Sequence, residues 1–175
     1  MFRVALALTL TLAALPAVAQ QGYAWAYYRN VSANLLETSL GLSYGVPQSD
    51  DMQAWVQCTI GANWIYGDVN LTMDVDGLAD GAIVAVQITA PGYSASHDAD
   101  VIRHEEGIQG VVFAIALDDP LWTAMMGQPA LIYSVAGRAP MTLDLTGAAG
   151  PVHEFLGDCL SIVDLAPDAS VTPSK

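Results

Sequence analysis

Positively charged residues are scarce in this chain of 175 residues, which has 5 Lys and Arg against 18 Asp and Glu and a formal net charge of −13. Nucleic acids and anionic membranes are bound by clustered Lys and Arg, which neutralise phosphate groups. The charge therefore excludes a nucleic-acid partner. Disorder is excluded as well, because 53% of the residues are hydrophobic and this permits a sizeable core.

A long apolar run is also missing. The N-terminal run Val4–Leu15 has about twelve residues, whereas a membrane-spanning helix needs roughly twenty. Arg3 precedes this run, and Pro16–Ala19, which ends in Ala-Val-Ala, follows it. This pattern predicts a signal peptide over residues 1–19, cleaved before Gln20, with an uncleaved anchor as the weaker alternative. We expect a periplasmic or secreted protein that is not inserted in a membrane after cleavage.

Cysteine is rare, with only Cys58 and Cys159 in the chain. Export to an oxidising compartment predicts that they form a disulfide, and the alternative is two buried free thiols. No internal repeat or domain boundary is evident. We therefore predict one domain over residues 20–165, followed by a disordered tail over residues 166–175.

Alternation of apolar and polar residues dominates the mature chain and predicts a mainly β protein. Strands with one buried face are predicted over residues 36–44, 52–60, 69–75 and 141–146. Runs that are apolar on both faces predict central strands, covered on each side, over residues 83–89, 110–117 and 130–135. With turn residues between the strands, this pattern predicts a single-domain antiparallel β-sandwich.

The phase of the alternation predicts which side chains face the core. In the strand predicted over residues 36–44, Leu36 is expected to point inward together with Leu40 and Leu42. In the strand predicted over residues 52–60, Cys58 is expected to point inward and Gln53 outward.

Two short helices interrupt the strands. Asp119 can cap a helix that begins at Pro120 and ends at Gly127, a left-handed stop. The second helix is predicted from Pro151 to about Leu160, and its apolar face carries the second cysteine. A bridge between the inward strand cysteine and this helix would clamp the C-terminal helix to the sheet.

The C-terminal half has a recognisable order of segments: 119–135, 141–148 and 152–159 read as helix, strand, hairpin, strand and closing helix. This order, over about forty residues, resembles small exported bacterial proteins of the invasion-associated locus B type and periplasmic accessory proteins of type VI secretion. The resemblance implies a compact β-sandwich with a helix across one end and no known catalytic site. It carries over no functional residue.

A cluster of two His and four acidic residues lies within residues 97–106. His97 and His104, with neighbouring carboxylates, could supply nitrogen and oxygen ligands for Zn²⁺. Their spacing matches no zinc signature, and a solvated loop or edge strand explains them equally well. We predict no metal site and no cofactor. A secreted hydrolase or metal-dependent enzyme that uses the His97–Glu106 segment is the alternative function.

Other patterns of catalytic or metal-binding residues are incomplete. Residues 74–81 are rich in Asp and Gly like a calcium loop, but Leu78 and Ala85 stand where that loop needs oxygen ligands, so a hairpin turn is predicted. The Gly-x-Ser-x-Gly nucleophile motif does not occur. No catalytic residue is predicted.

Aromatic residues alternate at the mature N-terminus, where Tyr23, Trp25 and Tyr27 share one face of a strand. Tyr and Trp side chains have an apolar body and a polar tip, and both residues are common at binding surfaces. The alternative is a first strand packed on the sheet with its hydroxyls at the rim. We predict a non-catalytic exported binding or accessory protein, whose partner is an unknown protein or envelope component.

Overall fold

The computed structural model describes residues 22–103 and 109–168. The predicted signal peptide, the segment from His104 to Glu106 and residues 169–175 of the predicted tail lie outside this part of the chain. Within it, neither helix has the length and apolar character needed to cross a membrane.

The described chain is mainly β and has two α-helices, as predicted. The strands are β1 (Ala24–Asn30), β2 (Ser39–Gly45), β3 (Met52–Ile60), β4 (Ile65–Thr72), β5 (Ile83–Ala90), β6 (Tyr93–Arg103), β7 (Gln109–Ala116), β8 (Ala130–Val135) and β9 (Met141–Asp144). The helices are α1 (Pro120–Gly127) and α2 (Ala149–Leu160), and single 3₁₀ turns lie at Leu35–Glu37 and Ile162–Asp164.

All nine strands belong to one antiparallel sheet with the order β1-β2-β3-β4-β7-β6-β5-β8-β9. The sheet curls into a half-barrel, so the prediction of a two-sheet sandwich is not confirmed. The runs predicted to be covered on both faces have only one buried face. Val86 and Ile88 of β5 are buried, for example, whereas Ile83 and the outward Ile132 of β8 are exposed. The core therefore fills the inside of the curl.

Two predicted side-chain orientations are wrong. Leu36 lies in the 3₁₀ turn before β2 and is 83% exposed, because the strand begins only at Ser39. Gln53 is buried because the pairing of β2 with β3 shifts by one residue next to Gly45. An extra residue in one strand reverses the faces of its neighbours, and this bulge turns Gln53 inward.

Side chains connect the two ends of the curled sheet. The edge strand β9 pairs with β8 on one side only, and its carbonyls at Thr142 and Asp144 point away from β8. The Trp25 indole of β1 donates to the Asp144 carbonyl at 2.9 Å, and the Gln53 amide of β3 donates to the Thr142 carbonyl at 2.7 Å. These bonds satisfy edge carbonyls that no strand pairs with.

Tyr133 of β8 forms a further connection across the core. Its hydroxyl donates to the Thr72 carbonyl at 2.7 Å and accepts from the Gln53 amide at 3.3 Å. Burial raises the pKa of this hydroxyl to about 12. The Tyr133 proton is thus held in place where β3, β4 and β8 meet.

Helix α1 packs on the inner face of the sheet. Asp119 caps it as predicted, accepting a hydrogen bond from the Leu121 amide at 2.7 Å, and Pro120 occupies the first position. The left-handed stop at Gly127 is wrong, because the helix instead ends in the extended backbone of Gln128. The buried Trp122 lies against Gly67 of β4, where a Cβ atom would be 2.8 Å from the indole.

Helix α2 begins two residues earlier than predicted and ends at Leu160 as predicted. Its buried residues include Val152, Phe155 and Cys159. The predicted disulfide between Cys58 of β3 and Cys159 is confirmed. It fixes the end of α2 to the sheet.

Candidate functional site

An apolar groove of about 620 Å³ lies at the end of the half-barrel where α2 finishes. Three segments that are distant in sequence form it: the turn between β3 and β4, the connection from β7 to α1, and the last residue of α2. We call it the Trp64 groove, and its lining residues are Gly61, Asn63, Trp64, Ile65, Ala116, Leu117, Asp118 and Leu160.

The turn between β3 and β4 positions Trp64. The Gly61 amide donates to the Trp64 carbonyl at 2.9 Å and closes the turn. The Trp64 ring stacks on Tyr66, with 4.4 Å between ring centroids and 26° between planes. A Cβ atom on Gly61 would be 3.2 Å from the Tyr66 ring, so the bare glycine lets both rings pack over the turn.

Leu160, directly after the half-cystine at position 159, also lines the groove. The leucine is 64% exposed and Trp64 is 49% exposed. Large apolar side chains on the surface of a soluble domain mark binding sites when they line a shared concave surface. The groove also has the volume of a typical small-molecule pocket, roughly 300 to 1,000 Å³.

The polar groups of the Trp64 groove are few. Asn63 supplies an amide and Asp118 an exposed carboxylate, and none of the described lining residues is basic. None of the three arginines in the described segments lines the groove. Each of them pairs with Asp elsewhere: Arg29 with Asp158 and Asp168, Arg103 with Asp76, and Arg138 with Asp74.

The N-terminal aromatic residues face the core. Trp25 is 9% exposed and stacks on Tyr44 with 5.1 Å between ring centroids. Tyr23 and Tyr27 are half-buried, and their hydroxyls bond to Asp51 and to Asp158. These positions correspond to the alternative of a packed first strand with its hydroxyls at the rim. The three residues do not form one exposed face, because Trp25 is buried.

The carboxylate partners of these tyrosines disfavour ionisation. For Tyr27 the larger cause is burial, followed by the hydrogen bond to Asp158, and both raise the pKa of the hydroxyl. For Tyr23 the hydrogen bond to Asp51 is the larger cause, and it too raises the pKa. The rim hydroxyls therefore act as donors that attach β1 to its neighbours.

The described part of the His97–Glu106 segment does not gather its ligands. His97 points to the inner face of β6, where its ring stacks on Phe113 with 5.0 Å between centroids. Asp98 and Asp100 are exposed on the opposite face. His104 lies outside the described residues. Across the ranges 22–103 and 109–168, no three His, Cys, Asp or Glu side chains converge as metal ligands.

His97 instead belongs to a small polar cluster beneath α1. The Tyr93 hydroxyl lies 3.2 Å from His97 Nε2 and 3.4 Å from Asp119 Oδ1. Burial, and then the Asp119 charge, raise the pKa of Tyr93 to about 12. A hydroxyl that keeps its proton up to such a pH is a poor nucleophile. The cluster connects the β5–β6 hairpin to the cap of α1.

Arginine side chains fill the loop that has the composition of a calcium site. Arg103 donates to the carbonyls of Val75 and Leu78, and Arg138 donates to the carbonyl of Asp76. Both guanidinium groups also lie 3.6 Å from Asp carboxylates of this loop. The two guanidinium groups thus contact the oxygen atoms that would otherwise serve as metal ligands.

No pattern in the sequence predicted the Trp64 groove. Its weak signals were a tryptophan in a Gly-Ala-Asn turn and Leu160 just off the apolar face of α2. Comparisons with known protein families, with curated proteins and with solved structures find no match to this chain.

Proposed function

We propose that this chain is an exported, non-catalytic binding protein whose ligand occupies the Trp64 groove. The observation that carries the proposal is the exposure of Trp64 and Leu160, two large apolar side chains from distant segments that line one apolar groove of about 620 Å³. Exposed apolar surface costs solvation free energy, and a ligand that covers it recovers that cost. The groove replaces the N-terminal aromatic residues as the candidate binding surface.

Two observations support export to the periplasm or the medium. Residues 1–19 have the pattern of a signal peptide, and the protein contains a disulfide, which persists in oxidising compartments. An accessory role in the bacterial envelope, suggested by the resemblance of the C-terminal half, is part of the same proposal. Intact mass of the secreted protein tests export: the chain should begin at Gln20, and retention of Met1–Ala19 would contradict it.

The enzyme alternative has less support. Tyr93 lines a second cavity of about 380 Å³, but His97 is not among the lining residues of that cavity. The raised pKa of Tyr93 also opposes a role as nucleophile. The binding proposal needs no reactive group, because a ligand can bind in the Trp64 groove by contact with its apolar lining.

A neutral fluorescent probe tests the groove directly. N-phenyl-1-naphthylamine should bind the mature, oxidised protein with one-to-one stoichiometry and become more fluorescent in the apolar site. Trp64→Ala and Leu160→Ala should each weaken binding, because each removes a large apolar side chain that lines the groove. Leu36→Ala is the matched control, since Leu36 is exposed but lies outside the groove. Equal binding by wild type and both groove variants would contradict the proposal.

A further inference from the structure

We infer that the ligand of the Trp64 groove is an amphiphilic organic cation, with an apolar body that lies along Trp64 and a positive group beside Asp118. This inference rests on the proposed function and deepens it. It follows from three features: the shape of the apolar walls, the single carboxylate among the lining residues, and the placement of every arginine in the described segments.

The apolar walls select a flat or aliphatic body. One side of the Trp64 indole is stacked on Tyr66, and the remaining part of the ring lines the groove. Ile65, Leu117 and Leu160 complete the apolar surface. A ring or chain that contacts the indole and these aliphatic side chains would bury apolar area. Polar groups along this body would lose their water without gaining hydrogen bonds.

The carboxylate of Asp118 supplies the charge. Asp118 stands at the connection from β7 to α1, directly before Asp119. The two residues have different tasks: Asp119 accepts the capping hydrogen bond from the Leu121 amide, whereas Asp118 is exposed and lines the groove. A cationic group can thus approach Asp118 without disturbing the helix cap.

The described lining of the groove offers an anion no partner of opposite charge. Each arginine of the described segments is paired with Asp elsewhere, and none of them lines the groove. The chain as a whole has a net charge of −13, which raises the local concentration of cations and lowers that of anions. An ammonium group near the Trp64 ring also gains from the negative face of the indole.

Three probes with the same naphthalene body separate charge from shape: 2-naphthylmethylammonium, 2-naphthylmethanol and 2-naphthylacetate. Calorimetry on the mature, oxidised protein at low ionic strength gives a dissociation constant for each. The cation should bind about fivefold more tightly than the neutral alcohol, as expected for one exposed charge contact, and the anion more weakly than both. Added salt should reduce the difference.

Two variants assign the charge preference to its residue. Asp118→Asn should remove the preference for the cation and leave binding of the neutral probe unchanged. Asp98→Asn is the matched control, because Asp98 is exposed on β6 outside the groove; it should leave the cation-to-neutral ratio intact. If Asp98→Asn lowers that ratio as much as Asp118→Asn does, the net charge of the protein is responsible, and the inference is overturned.

The outcomes also separate this inference from the proposed function. If all three probes bind equally well and Trp64→Ala weakens all of them, the groove is a binding site but not one for cations. If no probe binds, or if Trp64→Ala changes nothing, the proposed function itself fails. A cation preference that disappears in Asp118→Asn supports both.

Discussion

The disulfide between Cys58 and Cys159 links β3, which leads into the turn that carries Trp64, to the end of α2. Cys58 lies three residues before Gly61, the first lining residue of that turn, and Cys159 directly precedes Leu160, another lining residue of the Trp64 groove. The disulfide therefore affects both the stability of the fold and the shape of the site.

Replacing both cysteines with Ala should lower the free energy of unfolding by roughly 4 to 5 kcal/mol, because the bridge closes a long loop in the unfolded chain. The two half-cystines are 101 residues apart. Urea unfolding measures the change, and the reduced wild type is the control that should match the double variant. Two titratable thiols in the unfolded, unreduced protein would contradict the pairing.

Trp25→Ala should lower the free energy of unfolding by about 3 to 5 kcal/mol, as is typical for a buried tryptophan. The change removes the stacking on Tyr44 and the indole hydrogen bond to the Asp144 carbonyl of β9. Trp64→Ala is the control and should change stability by less than about 1 kcal/mol, because that ring is half exposed. Equal losses in thermal and urea unfolding would show that Trp25 is no more part of the core than Trp64.

Alternation and apolar runs were sufficient to predict most strands, and capping residues and helical periodicity were sufficient to predict both helices. Residues 52–60 and 130–135 coincide with β3 and β8 because each has an uninterrupted pattern. The pattern does not state whether strands join one curled sheet or two flat ones. That choice depends on hydrogen bonds between distant segments, such as those from Trp25 and Gln53 to β9. The inward orientation of Gln53 also depends on a β-bulge, and no pattern in residues 52–60 predicts this bulge.

The disulfide could be predicted because only two cysteines exist and both have an inward phase. The Trp64 groove could not be, because its residues come from three segments that only the complete fold brings together. The N-terminal aromatic residues suggested a binding surface because they alternate along one strand and combine apolar rings with polar groups. This pattern does not distinguish an exposed ring from one that packs on Tyr44, as Trp25 does.

Gly67→Ala should lower the free energy of unfolding by about 1 to 3 kcal/mol, the usual cost of overpacking. The added methyl group would stand 2.8 Å from the buried Trp122 indole and would push α1 away from β4. Gly157→Ala is the matched control. Nothing lies within 4 Å of its Cβ position in α2, so this change should raise stability by roughly 0.5 to 1 kcal/mol. The two variants should shift the unfolding midpoint in opposite directions, and equal shifts would contradict the close packing at Gly67.

Calcium should not bind at residues 74–81 more tightly than about 10⁻⁵ M, the weak end of sensor affinities. The guanidinium groups of Arg103 and Arg138 already occupy the carbonyls and carboxylates of this loop. Calorimetry with CaCl₂ checks this, and the thermal unfolding midpoint should not rise when calcium is added. Arg138→Ala should destabilise the loop instead. A one-to-one micromolar site in the wild type would contradict the prediction.

Alkaline pH should destabilise the protein through Tyr133. Burial raises the pKa of this hydroxyl to about 12 in the folded protein, whereas an unfolded tyrosine titrates near pH 10. Above pH 10 the unfolded chain releases a proton that the folded chain retains, so the free energy of unfolding falls as pH rises from 10 to 12. The full contribution of the Tyr133 hydroxyl to the free energy of unfolding is present below pH 10.

Tyr133→Phe separates this effect from that of the other tyrosines. At pH 8 the variant should be less stable by about 1 to 3 kcal/mol, because the Thr72 carbonyl and the Gln53 amide lose a buried partner. Its free energy of unfolding should then fall less steeply than that of the wild type between pH 10 and 12. Tyr66→Phe is the control, since the Tyr66 ring is only half-buried in the β3–β4 turn region. Urea unfolding at pH 8, 10 and 11, with tyrosine absorbance at 295 nm, measures both quantities, and identical slopes for wild type and Tyr133→Phe would contradict the assignment.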